Sequence, residues 1–152
     1  MVMKHKKIIN KRDNVTLVRV KKTDAHVQML FDLLKGRTHT ITHTAMPSFE
    51  QHKSFVFAHP YRAWYLIYSK EGCVGSVYIL KSNTVGISTK KGFLHYVPSA
   101  IRVLFSKHKP LPAVRSVRAA TFSFNVAPSN RKLKSILKKM GARLAQETYV
   151  IP

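Results

Sequence analysis

AWYLIYSKEGCVGSVYILKSNTVGIST, residues 63–89, contains three apolar runs rich in Val, Ile and Tyr, at 63–69, 73–81 and 84–89. Lys70-Glu71-Gly72 separates the first two and Ser82-Asn83 the second two. Runs of this length, divided by short turns that carry Gly or Asn, predict three antiparallel strands in a meander. Parallel neighbours would need a crossover of roughly a dozen residues, and the turns leave no room for one.

Upstream, VTLVRV (15–20) alternates and predicts a first strand. Asp24 is placed to cap a helix whose stripe is Val27, Leu30, Phe31 and Leu34, stopped by Gly36. Residues 37–47, RTHTITHTAMP, show neither period and read as a loop. Ser48 and Gln51 have the spacing of a capping box, which starts a second helix running to about Ala58. Downstream, a third helix runs from about Pro98 to Lys107, and 108–118 is a connector holding Pro110 and Pro112. AATFSFNV (119–126) predicts another strand, Asn130–Met140 a fourth helix closed by Gly141, and 143–150 a last strand. The fold class is therefore α/β (α+β): a mixed, largely antiparallel sheet of about six or seven strands flanked by about four helices, with 84–89 and 119–126 diverging at one end.

A chain of 152 residues with 45% apolar and 10% aromatic content is long enough for one core. Residues 1–14 read as a basic arm and 15–152 as a single domain. No run approaches the roughly 20 apolar residues of a membrane span, and Met1–Arg12 lacks the apolar core of a secretory signal, so we expect an intracellular protein with no membrane partner. The one cysteine, Cys73, excludes a disulfide framework or thiolate metal cluster, and no metal site is expected. Twenty-seven Lys and Arg stand against six acids, a formal charge of +21. Self-repulsion of that size calls for a polyanionic partner, and DNA or RNA is the one the charge fits best. The cations gather around the last two helices: Arg102, Lys107, Arg115 and Arg118 around one and its connector, Arg131, Lys134 and Lys138 on the other. They are the expected phosphate contacts, since no zinc finger or helix-turn-helix is present to read bases.

The element order, together with the ending NVAPSNRKLKSILKKMGARLAQETYVI, resembles the GNAT superfamily of N-acyltransferases. Residues Ile41, His43, Met46, Pro47, Ser48, Phe49, His52, Tyr61, Trp64 and Tyr65 resemble a pattern of its amino-sugar and small-amine acetyltransferase branch. The resemblance implies acetyl-CoA or another acyl-CoA as cofactor, held between strands 84–89 and 119–126. By that likeness Gly86, Ile87 and Ser88 would face the acyl-pantetheine, Asn125 and Asn130 would bond the cofactor arm, and Gly92 and His95 would lie at the phosphate loop. Asn130 reads equally well as a helix cap. Of the glycines usual in that loop only Gly92 remains, so the loop is degenerate. The acid often used as base is replaced near Thr84, and the position that often carries a proton-donating Tyr is Leu137. Histidine would then have to supply the base, with His43 first and Glu50 and His39 next.

The expected function is acyl-CoA-dependent N-acyl transfer, through an atypical active site, to an amine attached to or associated with nucleic acid. A catalytically inactive GNAT-fold protein that binds RNA or DNA structurally, for example in a ribonucleoprotein, and a small-amine or amino-sugar N-acetyltransferase are the alternatives.

Overall fold

The computed structural model describes residues 13–37 and 45–152. Its elements are β1 (Thr16–Arg19), α1 (Asp24–Lys35), α2 (Phe49–Ala58), β2 (Ala63–Ser69), β3 (Gly72–Ile79), β4 (Thr84–Thr89), a 3₁₀ turn (Leu94–Tyr96), α3 (Val97–Lys107), β5 (Ser123–Phe124) and α4 (Arg131–Lys139). The strands form one sheet in the order β1-β2-β3-β4-β5. The first four pair antiparallel, and β5 joins β4 in parallel.

Strand β2 explains the layering. Its Ala63, Tyr65 and Ile67 pack with Val77, Ile79 and Val85 against Ala100 and Leu104 of α3. Trp64 and Leu66 point the other way, into Val27, Leu30 and Leu33 of α1 and Val56 of α2. A strand covered on both faces reads as a continuous apolar run, which is why AWYLIYS lacks polar alternation. Helix α4 closes a third cluster, setting Leu133 and Leu137 on Val97 and Ile101 of α3.

Helix starts follow local chemistry. Ser48 caps α2 with both arms of the capping box: its hydroxyl accepts from the Gln51 N–H at 3.2 Å, and the Gln51 side chain accepts from the Ser48 N–H at 2.9 Å. Helix α1 corrects the sequence reading by one residue. Thr23, with extended backbone, accepts from the His26 N–H and is the cap, while Asp24 is the first-turn acid. The buried stripe of α1 is Val27, Leu30 and Leu33, with Phe31 and Leu34 half-buried beside it.

Two glycines of the meander are fixed by packing. A Cβ on Gly75 would sit 2.3 Å from the Ser88 carbonyl oxygen, and one on Gly86 would sit 2.1 Å from the Tyr78 ring. Side chains there would push β3 and β4 apart or drive Tyr78 off the sheet. Asn83 takes the left-handed conformation (φ 66°) in the β3–β4 turn and is fully buried.

The downstream expectations need correction. The expected strand 119–126 shrinks to Ser123–Phe124, and the expected strand 143–150 has no ladder at all among the described residues. The described sheet therefore has five strands. Alternation gives a segment strand propensity, but a strand also needs an edge to pair with. Here the chain leaves α4 through Gly141 (φ 97°) with Leu144, Tyr149, Val150 and Ile151 all exposed. Most of the basic arm, residues 1–12, lies outside the described residues. None of the described helices is long and apolar enough to cross a membrane.

Candidate functional site

A cavity of about 420 Å³ lies between α1, α2 and the sheet. Leu30, Leu33 and Leu34 of α1 form one wall, Met46, Pro47 and Phe55 another, and Tyr61 and Trp64 a third, with Ser76 and Ser88 contributed by β3 and β4. Five residues of the quoted motif, Met46, Pro47, His52, Tyr61 and Trp64, thus converge on one cavity. Its aromatic wall is tightly built. Tyr61 stacks on Tyr78 with centroids 4.2 Å apart and meets Trp64 edge-on at 4.9 Å, and Trp64 also meets Phe55 and His59 edge-on. Gly86 leaves the room that the Tyr78 ring occupies, so this glycine shapes the cavity from outside it.

Arg37 and Gln51 join Ser76 and Ser88 as polar lining residues, and two buried polar atoms at the cavity lack partners. His52 Nε2 and Trp64 Nε1 are buried, and neither makes a hydrogen bond. Burial lowers the His52 pKa, a backbone hydrogen bond to Val27 works the other way, and Arg37 adds to the lowering. Burial pushes the Tyr61 hydroxyl up to about 12, so it stays protonated at neutral pH.

The second feature is the gap beside β4. The parallel ladder pairs Thr84 with Ser123 and Val85 with Phe124 and stops there, while β4 continues to Thr89. Gly86–Thr89 therefore have no strand on that side among the described residues, which is the divergence expected from the sequence. Side chains alternate along this stretch. Ile87 packs into the core beneath α3, whereas Ser88 lines the cavity on the opposite face. The free edge and the cavity therefore adjoin at Ser88.

Beyond β4, Lys90 and Lys91 are exposed and Gly92 turns with φ 88°. The chain then enters α3, whose start has no acid in its first turn, no side-chain cap and Pro98 near its N-terminus. The positive end of an acid-free helix and the two lysines favour an anion, with the Val97 N–H already bonded to the Leu94 carbonyl and Pro98 lacking an N–H. Phe93 packs against the core and His95 lies exposed against Tyr96 at 4.2 Å between ring centroids. The Tyr96 hydroxyl donates to Glu71 of the β2–β3 turn, tying the start of α3 to the sheet.

The other expected residues fall as follows. Asn130 is the cap of α4, its Oδ1 accepting from the Leu133 N–H at 3.3 Å. Asn125 is exposed just beyond β5, and Glu50 is an exposed first-turn acid of α2 that is not among the lining residues. His39 and His43 lie outside the described residues. Arg102, Lys107, Arg115, Arg131 and Lys138 are exposed. Arg118 bonds the carbonyls of Pro112 and Lys81, and Lys134 that of Pro128. Among the described residues the ion pairs are Asp32–Lys35 and Asp24–Lys53, so the cations of α3, α4 and their connector have no ion-paired acid. Sequence reading named His52 only as part of a motif. Its burial depends on which face of α2 meets α1, which the weak amphipathicity of FEQHKSFVFA does not specify.

Three histidines of the described chain have lowered pKa values, His52, His59 and His108, each mainly through burial. His59 Nδ1 accepts from the Tyr61 N–H, and His108 Nε2 bonds the Tyr65 hydroxyl at 2.7 Å. Above the ordinary histidine value of 6.5 neither the folded nor the unfolded chain holds these protons, and stability is unaffected. Below it the unfolded chain takes them up first, so stability falls as pH drops. The melting midpoint is expected to be lower at about pH 5.5 than at about pH 7.5, and replacing His59 and His108 with Gln should shrink that difference. Equal midpoints would contradict it.

No family model and no curated protein matches the chain. Among solved structures it is similar to an acetyltransferase from Salmonella typhimurium that modifies the N-terminal serine of a 50S ribosomal subunit protein, with a TM-score of 0.59 and 14% identity over 83% of this chain and 78% of that one. It is also similar to a possible acetyltransferase from Clostridium difficile 630, with a TM-score of 0.54 and 11% identity over 91% of this chain and 96% of that one. The chain has the fold of these acetyltransferases, the GNAT-type fold that its element order resembles.

Proposed function

We propose that the protein is an acyl-CoA-dependent N-acyltransferase whose acceptor amine enters the cavity between α1, α2 and the sheet and is delivered on, or with, a nucleic acid. The observation that carries this reading is the junction at Ser88, where the cavity adjoins a strand edge that has no partner strand among the described residues. An acyl-CoA would supply an activated thioester there. The residues present fit such a group: the free edge at Gly86–Thr89 can bond an extended amide chain, and Lys90, Lys91 and the acid-free start of α3 can meet its phosphates. The chain's own work is to hold the amine neutral in a dry pocket, orient it and take its proton. The unpaired cations of α3, α4 and their connector support a polyanionic carrier for the amine.

Phe93 and Leu94, standing where close phosphate approach favours small residues, support a second reading, a non-catalytic nucleic-acid-binding protein. Arg37, Gln51, Ser76 and Ser88 in the lining leave a small polar amine, an amino sugar included, as a further acceptor class. Calorimetry separates the readings. Acetyl-CoA is expected to bind with Kd between about 1 μM and 1 mM, the ordinary range for enzyme substrates. S-acetyl-pantetheine, without the nucleotide phosphates, should bind more weakly. Nucleic-acid binding with no heat from acetyl-CoA would select the second reading.

A further inference from the structure

We propose that the segment after α4, residues 143–151, is a strand that pairs with the outer edge of β5 in a second copy of this chain, each copy giving one strand and receiving one. Two unsatisfied halves lie on the same molecule. The first is the segment itself, which forms no ladder among the described residues. Its Leu144, Tyr149, Val150 and Ile151 are 74%, 84%, 87% and 98% exposed. The hydrogen bond it makes, from the Tyr149 hydroxyl to Glu147, joins two of its own residues. Thr148-Tyr149-Val150-Ile151 is a run of β-branched and aromatic residues, the types that suit a paired strand. The second half is β5, which ends the sheet with no partner on its outer side among the described residues. The Ser123 N–H bonds the Asn83 carbonyl on the β4 side, and backbone groups alternate from side to side along a strand, so Phe122 and Phe124 turn theirs to the open side.

Charge selects a second copy as the occupant. The chain carries 27 Lys and Arg, yet residues 119–130 hold no charged residue and 144–152 hold no basic one, with Glu147 their single acid. Two copies repel over most of their surfaces, but these two stretches meet without bringing cations together. A strongly acidic partner would find nothing to pair with along 144–152 and would go instead to the exposed cations of α3 and α4. Symmetry supplies the rest. Under a two-fold axis the exchange is reciprocal, both open edges are covered, and assembly stops at two copies. Nine residues in strand conformation span about 30 Å, enough to reach across to a neighbouring sheet. Pairing on the outer side of β5 leaves the gap between β4 and β5 free, so this inference holds whether or not the chain transfers an acyl group.

The test uses the full chain, treated with nuclease so that no polyanion bridges two copies. Sedimentation velocity should show a dimer that does not weaken as salt rises from about 0.1 to about 0.5 M, because screening only lowers the repulsion between copies. In a dimer of one isotope-labelled and one unlabelled copy, filtered NOEs should join residues 148–151 of one to residues 122–126 of the other. Thr148→Pro combined with Tyr149→Pro removes one ladder donor of each alternation, whichever set faces β5. That pair should raise the dimer dissociation constant by about 100-fold. Both residues are exposed in their own chain, so the far-ultraviolet spectrum should keep its helical signal. A monomer at both salt concentrations, NOEs that lead to residues 86–89 of β4 instead, or a dimer indifferent to the two prolines would each overturn the inference. Sedimentation and NOEs need only the parent chain, so a proline variant that failed to fold would leave the inference open to refutation.

Discussion

Affinity for a nucleic-acid duplex is expected to fall about 500-fold when monovalent salt rises from about 50 to about 200 mM, if five phosphates are neutralised. Each neutralised phosphate releases condensed counterion and contributes about −0.9 to the slope of log affinity against log salt, so five give about −4.5. Arg102, Lys107, Arg115, Arg131 and Lys138 supply that number. All five are exposed, and the ion pairs of the described residues, Asp32–Lys35 and Asp24–Lys53, involve none of them. The structure refines which cations to test. Lys134 is half-buried with its ammonium on the Pro128 carbonyl, and Arg118 holds the connector, so removing either would disturb the fold as well as the charge. Arg131→Gln with Lys138→Gln removes charge alone. That pair should flatten the slope by about two and leave any sequence preference unchanged. A slope near zero, or no binding to DNA or RNA at low salt, would remove the polyanion from the proposal and leave a small-amine acyltransferase.

The parts of this molecule legible in the sequence are those that local chemistry fixes. The meander, the capping box at Ser48 and the stop after α4 each depend on residues a few positions apart, and each is where expected. The divergence beside β4 was also legible, although its cause is distributed over β4, β5 and the Asn83 turn that leads into β4 and bonds the start of β5. The strand at 143–150 was misread because pairing is a property of two segments, and the apolar alternation of one carries no information about the other. For the site, part of the cavity lining comes from the motif at 46–65, but the burial of His52 does not follow from that motif. A histidine at the second turn of α2 gains its character from Val27 and Phe31, about twenty residues away, and from having nothing else to bond.

Replacing Asn83 with Ala is expected to destabilise the fold by about 2–4 kcal/mol and to loosen the gap beside β4. The estimate combines a left-handed backbone that a residue with a plain Cβ resists at about 1 kcal/mol with buried backbone groups left unpaired at about 1–3 kcal/mol. Asn83 is fully buried at φ 66°. Its amide nitrogen donates to the carbonyls of Leu111 and Ala119 at 2.9 and 2.8 Å, and its Oδ1 accepts from the Leu111 N–H at 2.8 Å. Its own carbonyl accepts from the Ser123 N–H at 3.1 Å, where β5 begins. One side chain and one carbonyl therefore pin both ends of the connector and fix where β5 meets β4. Beyond that anchor the ladder lasts two residue pairs before the strands part. Glycine at this position keeps the backbone conformation and loses only the side-chain bonds, so Asn83→Gly should recover about 1 kcal/mol relative to Asn83→Ala in denaturant melts. Asp at the same place can accept from Leu111 but cannot donate, and it should fall near the Ala variant. If the connector is what holds the gap open, Asn83→Gly should also weaken acetyl-CoA binding at temperatures where the chain remains folded. An Ala variant as stable as the parent would mean that the connector is held by its other contacts, Arg118 on Pro112 and Lys81 and Arg62 on Lys109.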